Sequence, residues 1–299
     1  MPETTIFYTT KAQDIAQSLS QSLGVESFEI YINQFPDSEW YVRVPEEAPD
    51  TDVIFVHRLF PNQNDSLLQM FFILSEFSAR GQRVVLVVPY FPYAKMHKKV
   101  MSGEVVTARS ITQWLSRTVE KIVTLDCHFI KREGAVDMWG AHFFNLSAAE
   151  TLLNIARDRS EDPCVVSPDE GARYLARGTA QHYTLKKVRG EYKYGGAGFQ
   201  RYARTEGRLD VEGRDVYVLD DMISTGGTMA KAVSLAREAG ANSVVAMATH
   251  GLFVRGADKK IIESGADEII VTNSIISPYS KVDISPLIAS YFSEMKEKD

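Results

Sequence analysis

The chain predicts an α/β fold built on parallel sheets with helices on both faces. Three observations carry that prediction. Short apolar runs alternate with helical patterns from one end of the sequence to the other. Several of the runs are β-branched and apolar on both faces, as strands buried inside a parallel sheet are. The order of elements in the first half recurs in the second.

In chain order, residues 6–8 form the first apolar run and 12–23 the first helical pattern. Extended segments at 30–32 and 41–44 flank a Pro-Asp turn. Strand 53–57 then leads to helix 66–80, strand 84–89 to helix 108–116, and strand 122–125 to helix 148–157. The second half runs through strand 164–167, helix 171–179, strand 216–219, helix 227–239, and strands 244–249 and 268–272. A last apolar segment, 284–292, is a helix able to pack on either half. Strand 53–57 matches the strand beginning at Val216. Each leads through a helix to a glycine, Gly81 or Gly240, and then to matching strands that begin at Val84 and Val244. Lys121-Ile-Val-Thr pairs in the same way with Glu268-Ile-Ile-Val-Thr. We therefore expect a duplicated α/β domain, 1–146 and 147–299, with its seam near residue 146.

With 299 residues and 44% hydrophobic side chains, the chain can bury a sizeable core. Its net charge of -6 argues against general nucleic-acid binding. Two cysteines without C-x-x-C spacing argue against a disulfide framework or zinc site and fit a reducing compartment. The N-terminus lacks signal-peptide character, and no apolar run is long enough to span a bilayer. The expectation is a cytoplasmic protein with neither membrane nor nucleic-acid partners.

Val216-Tyr-Val-Leu-Asp-Asp-Met-Ile-Ser-Thr-Gly-Gly-Thr228 is the most informative segment. A strand feeding a glycine turn at a helix start presents backbone N–H groups and the positive end of the helix dipole to an anion. Ser224, Thr225 and Thr228 add hydroxyl donors, and Gly226 and Gly227 admit positive φ and close backbone approach. Asp220 and Asp221 suit the hydroxyls of a sugar, or a cation bound to it. Together these residues describe a ribose-phosphate pocket. The segment is neither a Walker loop nor a G-x-G-x-x-G fingerprint.

The remaining motifs admit more than one reading each. Phe35, Asp37 and Glu39 fit either a plain hairpin turn or a purine pocket, with stacking and acceptors for an amino group. Lys95, Lys98 and Lys99 follow a strong strand and make either a solvated loop or a polyphosphate contact at the strand end. His128, at the end of Leu125-Asp-Cys-His128, is a packed residue, a switch or a metal ligand. Asp169 caps the helix that follows it or ligates a cation, magnesium being suited to carboxylates. The glycine-rich basic stretch from Leu185 to Gly198 reads as a structureless lid or an exposed hairpin. On a lid, Lys187 and Arg189 would point the same way and stabilise transition-state charge.

Asp-Asp-Met-Ile-Ser-Thr-Gly-Gly-Thr resembles the phosphoribosyl-binding motif of ribose-phosphate diphosphokinases, a motif shared with type I phosphoribosyltransferases. Phe-Pro-Asp-Ser-Glu, Val-Val-Pro-Tyr-Phe-Pro-Tyr-Ala, Asp-Cys-His, Ser-Pro-Asp and Thr249-His-Gly-Leu-Phe253 resemble further signatures of that family, in order, across nearly the whole chain. The resemblance implies two tandem type I phosphoribosyltransferase-like domains and a homo-oligomer. It implies transfer of the β,γ-diphosphoryl group of MgATP to O1 of ribose 5-phosphate, leaving AMP. It assigns Phe35, Asp37 and Glu39 to adenine, with Lys95 and His97 on the ATP side, and His128 and Asp169 to magnesium. Lys187 and Arg189 become the catalytic cations, and Asp220, Asp221, Ser224, Thr225, Gly226, Gly227 and Thr228 the ribose 5-phosphate site. Departures cluster on the nucleotide half. Tyr-Ala-Lys-Met-His stands where the family usually has Tyr-Ala-Arg-Gln-Asp, Ser38 stands at a usual glycine, and Asp-Cys-His-Phe-Ile-Lys-Arg replaces Asp-Leu-His-Ala-x-Gln-Ile. A catalytically silent regulatory homologue and a phosphoribosyltransferase are the two rival readings.

Overall fold

A computed structural model describes residues 4–46, 52–195, 198–206 and 208–298, without the side chains of 187–207 and 296–298. The chain divides into two compact units, Met1–Ser147 together with Asp283–Asp299, and Ala148–Val282.

The first unit runs β1 (Thr4–Tyr8), α1 (Gln13–Leu23), β2 (Ser27–Glu29), β3 (Tyr31–Gln34), β4 (Trp40–Arg43), β5 (Asp52–Val56), α2 (Gln63–Ala79), β6 (Val84–Val87), α3 (Thr107–Leu115), β7 (Lys121–Leu125), β8 (Gly134–Met138) and β9 (Ala141–Leu146). Its sheet has the order β2-β1-β5-β6-β7-β9-β8, parallel except for β8, which pairs antiparallel with β9. Phe7, Phe55, Ile73, Phe77, Leu86 and Phe143 sit at the centre of its core. α1 stops where Gly24 turns left-handed (φ 65°) and its N–H closes on the Ser20 carbonyl at 3.0 Å. The 134–146 hairpin lies outside the sequence expectations. It turns on Trp139 and Gly140, both at positive φ, and its inward residues Val136, Ala141 and Phe143 complete the core.

The second unit runs α4 (Ala149–Arg159), β10 (Cys164–Ser167), β11 (His182–Thr184), β12 (Lys186–Gly195), β13 (Gly198–Glu206), β14 (Asp215–Ile223), α5 (Gly227–Glu238), β15 (Ser243–Gly251), α6 (Ala257–Glu263), β16 (Glu268–Thr272) and β17 (Ser280–Val282). Its six-stranded parallel sheet, β11-β10-β14-β15-β16-β17, repeats the strand order of the first sheet without the antiparallel edge. Alternate residues of β14 face opposite cores. Val216 and Val218 pack with Ala232, Val233 and Ala236 of α5, while Tyr217 and Leu219 pack with Leu152, Leu153 and Ala156 of α4. That two-sided burial is why the strand is apolar without alternation.

Three sequence expectations change. The helix expected over 171–179 is a single 3-10 turn, Arg173–Ala176. Asp169 holds the preceding backbone in a tight turn, accepting the Gly171 N–H on its carboxylate (2.8 Å) and the Ala172 N–H on its carbonyl (3.2 Å). The lid reading of the segment after Leu185 gives way to the antiparallel hairpin β12–β13, with a register irregularity between Arg189 and Tyr192. Strand β14 does not stop at Leu219. It continues through Asp220 and Asp221 to Ile223, paired with β15 as far as Gly251. Two elements of the second unit, β17 and the short helix α6, also went unforeseen.

The last helix, α7 (Ser285–Lys298), returns to the first unit, where it lies against α1. Tyr291 packs on Phe144 with ring centres 4.3 Å apart, and Lys121 Nζ lies 6.0 Å from the centre of the same tyrosine ring. Both cysteines are buried and neither is in a disulfide. No helix among the described residues is long and apolar enough to cross a membrane.

Candidate functional site

Strands of a parallel sheet all end on one edge, and ligands of open α/β folds collect there. In the second unit that edge gathers Asp169 after β10, the Asp220–Asp221 pair near the end of β14, and the 224–227 turn into α5. Asp221 is buried (3% exposed), and its backbone N–H donates to the Asp220 carboxylate at 2.9 Å. Gly226 adopts φ 71° and begins α5, its carbonyl accepting the Ala230 N–H at 2.8 Å. A Cβ at Gly226 would lie 2.9 Å from both the Cβ and the carbonyl oxygen of Ala257, so only glycine fits between this turn and the start of α6. The Ser224 carbonyl accepts the Val254 N–H at 3.0 Å, pinning the turn from the other side. Gly226, as the N-cap of α5, supplies no side-chain cap. The result is a rigid turn that carries hydroxyls at Ser224, Thr225 and Thr228 and places peptide N–H groups at a helix start.

Lys260 is a residue that the sequence reading missed. Its ammonium lies 3.7 Å from the point where a Cβ on Gly227 would sit, on α6 one turn beyond Ala257. The only signal was the Ala257/Ile261 spacing after Gly256, too short a period to identify a helix.

In the first unit the corresponding edge gathers His57, the loop after β6 and the Asp126–Ile130 turn after β7. His57 is a packed residue. Its ring stacks on Phe55 and is fully buried between the Thr9 hydroxyl (2.7 Å) and the Ser66 carbonyl (3.1 Å). A carbonyl only accepts, so Nε2 carries the proton and Nδ1 takes the threonine hydrogen. Burial drives its pKa from 6.5 down to about 4, with the Lys11 charge acting in the same direction against the Ser66 contact. Arg58, next in sequence and 2% exposed, is braced by the Lys11 carbonyl (2.6 Å) and by Asp14 (2.8 Å).

The turn after β7 is held rigidly. The Asn145 side chain accepts the Cys127 N–H at 2.9 Å and donates to the Arg132 carbonyl at 2.9 Å, while Ile130 N–H closes on Cys127 at 2.7 Å. Phe129 packs edge-on to Phe91 and Phe143. These contacts leave His128 half-buried at the strand end. Across from it the 3-10 turn Ala94–Met96 is anchored by buried Ala94 and presents Lys95 to solvent. His97 follows that turn, its Nδ1 3.0 Å from the Ala94 carbonyl, and its ring centre lies 5.8 Å from that of His128. Burial lowers the His97 pKa, and His128, Lys98 and Lys131 push it the same way against the Ala94 contact.

Phe35, Asp37 and Glu39 sit together at the exposed tip of the β3–β4 hairpin. Asp37 accepts the Glu39 N–H at 3.2 Å, Phe35 N–H donates to the Glu39 carbonyl at 2.8 Å, and the Phe35 ring meets Tyr41 edge-on at 5.9 Å. Ser38 occupies φ 73°, a backbone geometry that favours the glycine usual there. Lys187 and Arg189 lie on β12, opposite Thr205 and Ala203, and their side chains lie outside the described residues. No cluster of three or more His, Cys, Asp or Glu side chains suited to a metal occurs among the described residues. His128 belongs to the first unit and Asp169 to the second.

Two parallel sheets of like strand order, one of which ends in an Asp-Asp strand and a glycine turn, define a tandem phosphoribosyltransferase-like α/β protein. Residues 4–118 match the N-terminal domain of ribose phosphate pyrophosphokinase, and residues 207–295 match the phosphoribosyl synthetase-associated domain. A ribose-phosphate pyrophosphokinase of Methanopyrus kandleri is 32% identical over 95% of this chain and 97% of its own. One from Vibrio cholerae is 32% identical over 92% of this chain and 88% of its own. The crystal structure of phosphoribosylpyrophosphate synthetase from Mycobacterium smegmatis superposes with a TM-score of 0.82 at 26% identity, covering 99% of this chain and 100% of that one. The chain belongs to the ribose-phosphate pyrophosphokinase family.

Proposed function

We propose that this chain transfers the β,γ-diphosphoryl group of ATP to O1 of ribose 5-phosphate. A bond forms between O1 and the β-phosphorus as the bond from that phosphorus to the α,β-bridging oxygen breaks; the bridging oxygen leaves with AMP, the O1–H proton goes to solvent, and the product is 5-phosphoribosyl 1-diphosphate. The observation that carries this reading is the junction of β14 with α5. The turn at Gly226 offers N–H groups and hydroxyls to the 5-phosphate, with Lys260 adding positive charge. Asp220 and Asp221, a short way back along the strand, hold the ribose hydroxyls. In this reading the second unit takes the sugar phosphate and the first takes the nucleotide.

The adenine ring goes to the Phe35–Asp37–Glu39 hairpin tip, where an exposed ring offers a stacking face and the carboxylates accept from the exocyclic amine. Lys95 and His97 contact its phosphates. Lys187 and Arg189 stabilise charge on the transferring group, which needs alignment and neutralisation more than covalent chemistry. Asp169 is an oxygen donor oriented by the Gly171 N–H, which suits magnesium; His128 carries a magnesium assignment in the first unit. Magnesium, when bound with the nucleotide, neutralises phosphate charge. Assembly into a homo-oligomer belongs to the same reading. It is supported by the exposed Leu68, Phe71 and Phe72 on α2, and sedimentation velocity gives the copy number.

The test is AMP release from ATP and ribose 5-phosphate, followed by chromatography. Lys187→Ala is expected to lower turnover by at least about a hundredfold, a loss typical of removing one charge-stabilising group, while ribose 5-phosphate binding changes little. Unchanged turnover with lost sugar-phosphate binding would remove Lys187 from its assigned role.

A further inference from the structure

Between β15 and α6 the chain carries a strained loop that the assignments above leave without a role. Phe253 and Arg255 both hold left-handed backbone, at φ 46° and 59°, a conformation that is unfavourable for any residue with a Cβ. We infer that Arg255 is a further binding residue of the sugar-phosphate site, kept in this conformation because its guanidinium engages the 5-phosphate. The role presupposes that the second unit takes ribose 5-phosphate.

Three observations carry it, and the first is place. The loop backs directly on the phosphate turn. The N–H groups of Leu252 and Phe253 both donate to the Ile223 carbonyl (2.9 and 3.2 Å), and the Val254 N–H donates to the Ser224 carbonyl at 3.0 Å. Ala257 walls Gly226 from the other end of the loop. Arg255 is the residue next to the Ser224 contact and two before Ala257, so its side chain starts beside the turn.

The second observation is the contrast between the two strained residues. Packing offsets the strain of Phe253. Its half-buried ring lies 5.0 Å from that of Tyr279 and closes over Gly251, where a Cβ would collide with it. Nothing of that kind offsets the strain of Arg255. It is exposed, and among the described residues its side chain makes no hydrogen bond or ion pair. Non-glycine residues held in this region of backbone space gather at ligand clamps.

The third observation is charge. A phosphate monoester carries close to two negative charges at neutral pH. Lys260, whose ammonium lies 3.7 Å from where a Gly227 Cβ would sit, supplies one positive charge. Arg255 supplies a second, and its planar fork can bond two phosphate oxygens at once. The acidic residue nearest to it in sequence, Asp258, accepts from the Tyr279 hydroxyl at 3.1 Å and forms no ion pair with Arg255.

The experiment titrates ribose 5-phosphate calorimetrically into the purified full chain, with magnesium and α,β-methylene-ATP present, and measures the urea midpoint of each variant. Arg255→Gly removes the strain together with the guanidinium. It is expected to leave the midpoint at or above that of the parent chain while weakening binding by about 10-fold or more, the scale of a lost hydrogen bond to a charged partner. Arg255→Ala keeps the Cβ and is expected to lose as much affinity, which separates loss of the guanidinium from loosening of the loop. Lys259→Ala removes an exposed charge of the neighbouring helix and should leave the affinity nearly unchanged. A lowered midpoint in Arg255→Gly, undiminished affinity in either Arg255 variant, or an equal loss in Lys259→Ala overturns the proposal. Parent chain that binds the sugar phosphate, with variants that bind it equally, removes Arg255 alone and leaves the proposed function standing. Parent chain that does not bind it removes both.

Discussion

At the scale of single residues, buried His57 has the clearest energetic signature. His57 is fully buried and neutral, with both ring nitrogens already committed to Thr9 and Ser66. Its folded pKa, about 4, lies below the ordinary 6.5, so below about 6.5 the unfolded chain binds a proton that the folded chain refuses. Stability therefore falls as the pH drops from 6.5 towards 4 and is regained as it rises. The shift corresponds to roughly 3 kcal/mol at full development. Urea unfolding at about pH 7 and about pH 5 should show this slope, and His57→Gln should flatten it even if it lowers the absolute midpoint. An unchanged slope in the variant would assign the pH dependence to other groups. The Cys164 thiol is a second buried titratable group, and burial raises its pKa to about 11, with Asp162 adding to the effect and Arg214 opposing it. It stays protonated at neutral pH and is a poor nucleophile.

At the scale of elements, the turn from β14 into α5 is constrained by what packs behind it. Gly226→Ala forces a side chain into a left-handed residue and against Ala257. The backbone strain alone costs about 1–2 kcal/mol, and the overlap with a backbone carbonyl adds to it. A lowered urea midpoint together with weakened ribose 5-phosphate binding is the expected result, and a midpoint equal to that of the parent chain would show that the turn can relax. This turn was legible in the sequence because a parallel strand, paired acidic residues and glycines before a helix are all local signals. The central strands were legible for the same reason: β10 and β16 are short, doubly buried apolar runs. The misreadings have local physical causes. Glycines at 190, 195, 196 and 198 left the segment open between a structureless lid and the hairpin β12–β13 that it forms. The helix expected over 171–179 gets no further than one 3-10 turn, because Arg177 is already extended and Gly178 behind it sits at positive φ. At seven residues, α6 offered too little periodicity, so Lys260 went unseen beside the phosphate turn. The approach of His97 to His128 depends on β6 and β7 lying side by side, a long-range pairing that no local pattern reports.

At the scale of the whole molecule, the chain does not keep its units contiguous. It leaves the first unit after Ser147, builds the second, and comes back at Asp283 to add α7. Ile288, Tyr291 and Phe292 of that helix are buried, and Lys121 Nζ reaches the Met295 sulfur at 3.7 Å. Ending the chain at residue 283 should therefore destabilise the unit that holds the N-terminus. Each large side chain withdrawn contributes roughly 1.5–3 kcal/mol of burial. Denaturant unfolding followed by hydrogen exchange would resolve the loss to the first sheet, and exchange quickened in the second sheet instead would contradict this assignment. The sequence left this helix able to pack on either half, since an apolar face by itself does not say which surface covers it. The return of α7 bears on biosynthesis. A ribosome delivers residues from the N-terminus onward, so the domain begun first is the one finished last. It waits, lacking a helix, until its successor has emerged.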